Sequence, residues 1–329
     1  MIRTLLAASL FLCTTTLASA QQLVLKKGDR ISIVGNTLAE RMQHHGWLET
    51  YIHTRFPEHD LVFRNLGFSG DEITTRLRSA GFGSPDDWLT KTKTDVVFAF
   101  FGYNESFKGK DGLDKFKIDL DAYLKNLQSK KYNGTTPPRI VLFSPIAHEN
   151  LKDRNLPDGK ENNVRLRMYY AAMEQVAEKN KVHFVDLWHD TKQLFENRKG
   201  PFTINGIHLN ELGDRRVAQI IVQSLFRDAK QPDEQHLQKV RAAVLQRNFF
   251  WFNRYRTVDG YSIYGGRADL KFVEYDAKTG KKVQVLDPKT GKMVDKINTN
   301  REVAQREMEI LDVMTANRDK LVWAVAQGK

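Results

Sequence analysis

The sequence predicts an α/β protein, a parallel sheet covered by helices on both faces, followed by a C-terminal appendage of helices and a β-hairpin. Two observations carry this. Short apolar runs alternate with longer helix-periodic ones up to about residue 230, as in repeated strand–helix units. Beyond residue 232 the alternation stops, and aromatic, Tyr/Arg-rich and Lys/Gly-rich segments take over.

Strands are expected at residues 31–34, 61–65, 96–100, 140–143 and 183–185. The run Val96-Val97-Phe98-Ala99-Phe100 lacks polar alternation, as in a strand buried on both faces. Helical periodicity marks 38–55, 113–129, 163–180 and 217–227. In the appendage, 233–253 reads as a helix carrying Phe249-Phe250-Trp251-Phe252, a cluster suited to contact the main domain. Residues 255–266 show no clear period. The string DAKTGKKV at 276–283 recurs as DPKTGKMV at 287–294, and each Lys-Thr-Gly-Lys suits a tight turn with a left-handed glycine. Two copies are too few for a solenoid, so a hairpin insertion is expected. A helix at 301–325 offers Met308, Leu311, Met314, Leu321 and Trp323 for packing. The chain thus divides into 1–20, a main domain at 21–230, and an appendage at 231–329 packed on it.

Residues 1–20 have the layout of a signal peptide: Arg3, an apolar stretch from 5 to 17, then Ala18-Ser19-Ala20. The apolar stretch is shorter than the roughly 20 residues of a membrane span. Export to the periplasm or the medium is expected, with no transmembrane anchor after cleavage. The only cysteine, Cys13, lies in that segment, which excludes a cysteine nucleophile or disulfide from the mature chain. The 51 basic and 40 acidic residues give a net charge of +11. Their interspersion, without a long basic block, argues against a nucleic-acid partner and leaves an acidic polysaccharide open. His44-His45, His148-Glu149 and His189-Asp190 lack compact metal-ligand spacing, and neither metal nor cofactor is expected.

Four segments carry polar chemistry. Gly35-Asn36-Thr37 follows the first strand and opens a helix, whose dipole favours an alkoxide-like nucleophile. Capping of that helix by Asn36 or Thr37 is the plainer use of the same residues. Asn65-Leu66-Gly67-Phe68-Ser69-Gly70-Asp71 follows the second strand, with glycines that let backbone amides approach a ligand. Gly102-Tyr103-Asn104-Glu105 follows the third, where Asn104 can aim an amide at a developing oxyanion. Asn205-Gly206-Ile207-His208 precedes the last helix of the main domain and offers a base beside a carboxamide.

In order and spacing these segments resemble the four blocks of the SGNH (GDSL-type) hydrolase family, over about residues 28–228. The strings at 34–42 and 249–256 also resemble a branch of that family from planctomycete-type bacteria. The resemblance implies a flavodoxin-like three-layer α/β/α sandwich and hydrolysis of an ester, with a small acyl group on a carbohydrate as the expected substrate. It makes Thr37 the nucleophile, His208 the general base and acid, and Asn205 the group orienting the imidazole. Gly70 and Asn104 would bind the oxyanion together with the Thr37 amide.

Two positions depart from the family. Thr37 stands in place of serine, and its methyl restricts χ1 and crowds the tetrahedral intermediate. Asn205 stands in place of aspartate; it can accept from His208 Nδ1–H but lacks the charge that stabilises an imidazolium. Ser69 is the alternative nucleophile. The alternative function is a hydrolase scaffold that binds a glycan or serves a structural role without turnover.

Overall fold

The computed structural model describes residues 22–197, 199–227, 233–257 and 260–329; the signal-like segment at 1–20 lies outside them. Five strands form the central sheet: β1 (Arg30–Gly35), β2 (Val62–Asn65), β3 (Val96–Phe100), β4 (Arg139–Phe143) and β5 (His183–Val185). All neighbours are parallel, in the order β2-β1-β3-β4-β5. Between them run α1 (Thr37–His45), α2 (Trp47–Arg55), α3 (Pro85–Lys91), α4 (Leu113–Ser129), α5 (Lys160–Lys179), α6 (Trp188–Asn197) and α7 (Glu211–Phe226).

Strand side chains alternate between two apolar cores, as a period of two requires. Ile31, Ile33, Phe98, Phe100, Val141 and Phe143 pack with α1, α2 and α7. Val97, Ala99, Ile140 and Leu142 pack with α3, α4 and α5. The result is the three-layer α/β/α sandwich expected from the sequence.

The expected helix at 38–55 is instead two helices. Gly46 takes a left-handed conformation (φ 69°) and its N–H closes α1 on the Met42 carbonyl at 2.8 Å, so the chain turns there. The seven-residue α3 escaped the reading because it is too short to show a period; a Ser84–Asp87 capping box starts it. The unread α6 follows β5 almost directly.

The appendage comprises α8 (Glu234–Arg256), α9 (Gly260–Tyr264), β6 (Lys271–Val273), β7 (Gln284–Leu286), β8 (Met293–Asp295), β9 (Ile297–Thr299) and α10 (Asn300–Ala326). The pairs β6–β9 and β7–β8 are antiparallel, and the repeated Lys-Thr-Gly-Lys strings form turns with left-handed glycines. Helices α8 and α10 share Val240, Ala243, Val244, Val322 and Ala326.

Together these helices cover the open edge of β2. Trp323 Nε1–H donates to the Leu61 carbonyl at 2.7 Å, Arg247 to Phe63 at 3.0 Å, and Trp251 to Asn65 at 2.7 Å. Alternate carbonyls of an edge strand are thereby satisfied by side chains, which blocks pairing with another strand. The buried Arg64–Asp319 pair (2.5 Å) and Arg247–Glu49 pair (2.6 Å) join the same surfaces. Within the aromatic cluster Trp251 makes this contact, whereas Phe249 is 64% exposed.

Candidate active site

In a 2-1-3-4-5 sheet the chain direction reverses beside β1, and a crevice opens outside the carboxyl ends of β1 and β3. Gly35 pairs with Phe100 at that end, so the loops after the two strands lie side by side. Asn36 N–H donates to the Phe100 carbonyl, and Asn36 Oδ1 accepts from Leu38 N–H at 3.1 Å. Asn36 is therefore the helix cap. Thr37, the first residue of α1, is half-buried, and its hydroxyl has no hydrogen-bond partner among the described residues. Its backbone N–H, like others of a first turn, has no carbonyl within the helix.

In the second segment Ser69 Oγ donates to Glu40 Oε2 at 3.1 Å. That carboxylate also faces His44 Nε2 at 3.2 Å and Arg256 at 3.4 Å, the latter delivered by α8. Burial opposes ionisation of Glu40, but the hydrogen bond and charge of His44, with Arg256, hold it below the usual range. The hydroxyl of Ser69 is thus tied to a carboxylate on α1. Gly70 lies in the adjoining turn with φ of 88°.

In the third segment Asn104 Nδ2 donates to the Asp71 carbonyl at 3.1 Å, which uses one of its two N–H bonds. Glu105 fixes this loop from beneath. Its buried carboxylate accepts from Gly102 N–H at 2.9 Å and Ile73 N–H at 3.0 Å, while burial pushes its pKa up.

The fourth segment brings Asn205 and His208 together in an unexpected sense. Asn205 Oδ1 accepts from the backbone N–H of His208 at 3.0 Å and of Ile207 at 3.4 Å, an Asx-type turn. The amide nitrogen therefore points at His208 Nδ1, 2.9 Å away. An amide N–H only donates, so Nδ1 accepts and the neutral ring carries its proton on Nε2. The expected Nδ1–H to Oδ1 bond is reversed. Burial, followed by the nearby charge of Arg41, lowers the His208 pKa below its ordinary value and keeps the ring neutral.

Glu149 holds this loop. Its buried carboxylate accepts from Thr203 N–H (2.8 Å), Thr203 Oγ1–H (2.6 Å) and Phe202 N–H (3.1 Å). Its own N–H donates to the Gly206 carbonyl at 2.8 Å. Gly206 has φ of 92°, and a Cβ there would come within 2.3 Å of His148 Nε2, so no other residue fits without movement.

Thr37 and His208 line one small cleft, with Leu38, Tyr103, Ile146 and Ile207 as largely apolar walls. A hydroxyl and an imidazole thus share one pocket at the switch point of the sheet, with Asn104 and Gly70 on neighbouring turns. The GDSL-like lipase/acylhydrolase family matches this chain over residues 28–216. The chain belongs to that family. Among curated proteins none matches the chain by sequence.

Several solved structures resemble it. They include a catalytic mutant of an acetylxylan esterase from Geobacillus stearothermophilus (13% identity, 63% of this chain and 99% of that one, TM-score 0.50). An α/β hydrolase from the metagenome of Lake Arreo, Spain, has 17% identity, the same coverages and a TM-score of 0.50. A gut microbial diltiazem-metabolizing enzyme has 18% identity and a TM-score of 0.50, with 63% of this chain covered; the chain spans only 49% of its length. At these identities the likeness is one of fold. Sequence reading named the four segments of this GDSL-like site but not the anchoring roles of Glu105 and Glu149, nor the role of Glu40. Arg41 also went unread.

Proposed function

We propose that this GDSL-like protein hydrolyses acyl esters slowly, acting outside the cytoplasm on a small acyl group carried by a carbohydrate. The export part rests on the composition of residues 1–20, and the substrate class on polar site loops around a compact apolar cavity. The observation that carries the reading is a Thr37 hydroxyl, without a hydrogen-bond partner among the described residues, sharing a cleft with an oriented His208.

In the reaction Thr37 Oγ1 attacks the ester carbonyl and its proton passes to His208 Nε2. Negative charge gathers on the carbonyl oxygen, where Asn104 Nδ2–H and the Gly70 and Thr37 amides donate to it. His208 then returns the proton to the departing alcohol, and water hydrolyses the acyl-threonine by the reverse path. The first transfer needs Nε2 free of its proton. The ring must therefore enter the Nδ1–H tautomer, and Asn205 must turn its oxygen toward Nδ1, losing two backbone hydrogen bonds. Turnover is slow for that reason; in a serine protease, aspartate to asparagine at the equivalent role costs about 10⁴ in kcat, largely through the wrong tautomer.

The test is hydrolysis of p-nitrophenyl acetate and acetylated xylo-oligosaccharides by the purified protein beside His208→Ala. Slow turnover lost in the variant is expected; equal rates contradict the assignment. The donor sense of Asn205 also favours a second reading, in which Nε2–H holds a bound carbonyl without cleavage. Saturable glycan binding with no fluorophosphonate label on Thr37 would select it.

A further inference from the structure

One turn along α1 from Thr37, the half-buried Arg41 lines a second, narrow cleft whose walls include Thr37, His45, His208 and Asp214. Arg41 forms no ion pair among the described residues, and its Nε is buried without a hydrogen-bond partner. Among the described residues the two nearby glutamates are engaged elsewhere. Glu40 is bound to Ser69, His44 and Arg256. Glu211 pairs with Arg241 at 2.8 Å. Asp214 lies in the cleft wall, where burial and the charge of Glu49 push its pKa up, and it makes no ion pair with Arg41. His45 is also kept neutral, first by its own burial. A half-buried guanidinium without a paired carboxylate attracts an anion more strongly than one on the open surface.

We propose that Arg41 forms an anion subsite beside Thr37, and that the ester substrate carries a carboxylate, as an acylated uronic acid does. This rests on the reading that the Thr37–His208 crevice holds the substrate. A planar carboxylate matches the two-pronged donor geometry of arginine, and the cavity places it against the same threonine whose hydroxyl meets the ester. The bound anion also cancels the positive charge that disfavours an imidazolium at His208, so the correct substrate assists its own proton transfer.

The experiment compares binding of D-glucuronate and D-glucose to the full chain by calorimetry, with the His208 ring resonances as a local readout. Glucuronate is expected to bind about tenfold more tightly or better at low salt. Arg41→Gln should bring the ratio to about one, and Arg41→Lys should retain part of it. Arg216→Gln makes the same charge change on an exposed face of α7 and should leave the ratio intact. Equal binding of the two sugars by the wild type, or a preference that survives Arg41→Gln in a folded variant, overturns the proposal. Because binding is read directly, an Arg41-dependent preference in a protein that fails to cleave p-nitrophenyl acetate sinks the hydrolase reading and leaves the subsite standing.

Discussion

On the β3 side of the crevice, Asn104 stands on a turn whose Gly102 N–H donates to the buried carboxyl of Glu105, which also accepts from Ile73 N–H in the loop after β2. On the α7 side, Asn205 and His208 stand on a turn gripped in the same way by Glu149. Both turns are thus scaffolded by a buried carboxyl group that accepts backbone N–H groups. They differ in what the asparagine then does. Asn104 spends one N–H on the Asp71 carbonyl and has a second to donate, as the proposed oxyanion role requires. Asn205 presents its N–H to His208 Nδ1, which in the proposed mechanism slows the base. Both turns are held by similar backbone contacts, and what sets them apart is the hydrogen-bond sense at residue 205.

The largest expected effect comes from Asn205→Asp. A carboxylate accepts from both the backbone N–H groups and Nδ1–H, so turnover of p-nitrophenyl acetate should rise by about 10²–10⁴. The sign of the pH effect follows. In the wild type burial and Arg41 hold the His208 pKa below its ordinary value, so the ring stays neutral down to lower pH. An adjacent carboxylate favours the imidazolium, so the acid limb of kcat/KM should move to higher pH in the variant. A rate within twofold of wild type would mean that the hydrogen-bond sense at 205 is not what limits the site.

Asn104→Ala breaks the other half. Made in the Asn205→Asp background, where turnover is measurable, it should lower kcat by about 10²–10³ with little change in KM. A change in KM alone would place Asn104 in substrate binding and remove it from the oxyanion site. A smaller effect tests the scaffolding. Glu149→Ala leaves the N–H groups of Phe202 and Thr203 and the Thr203 hydroxyl without their acceptor, and should cost about 3 kcal/mol in urea unfolding. The same cost in wild type and in Asn205→Asp is expected if frame and charge are independent.

Much of this was legible in the sequence. The five strands and the four polar segments are local patterns, and local patterns survive reading one residue at a time. What escaped depends on partners far apart in the chain. Glu149 is joined to Thr203 across 54 residues, and Trp323 caps Leu61 across 262. Trp323 was read as available for packing, yet its indole N–H matters as much as its area. The sense of the Asn205–His208 bond was hidden for another reason. It is decided by the turn, which spends the amide oxygen on two backbone donors and leaves only the nitrogen for the ring. Composition also cannot tell a paired arginine from an unpaired one, so Arg41 stands out only once the pairings of Glu40 and Glu211 with other arginines are visible.

The central claim, that Asn205 fixes His208 with its proton on Nε2, is tested most directly by long-range ¹⁵N–¹H NMR of the imidazole in the wild type and in Asn205→Asp. At neutral pH the wild-type ring should show a protonated Nε2 and an accepting Nδ1, and the variant should show a protonated Nδ1. A wild-type ring already protonated on Nδ1 would contradict the account.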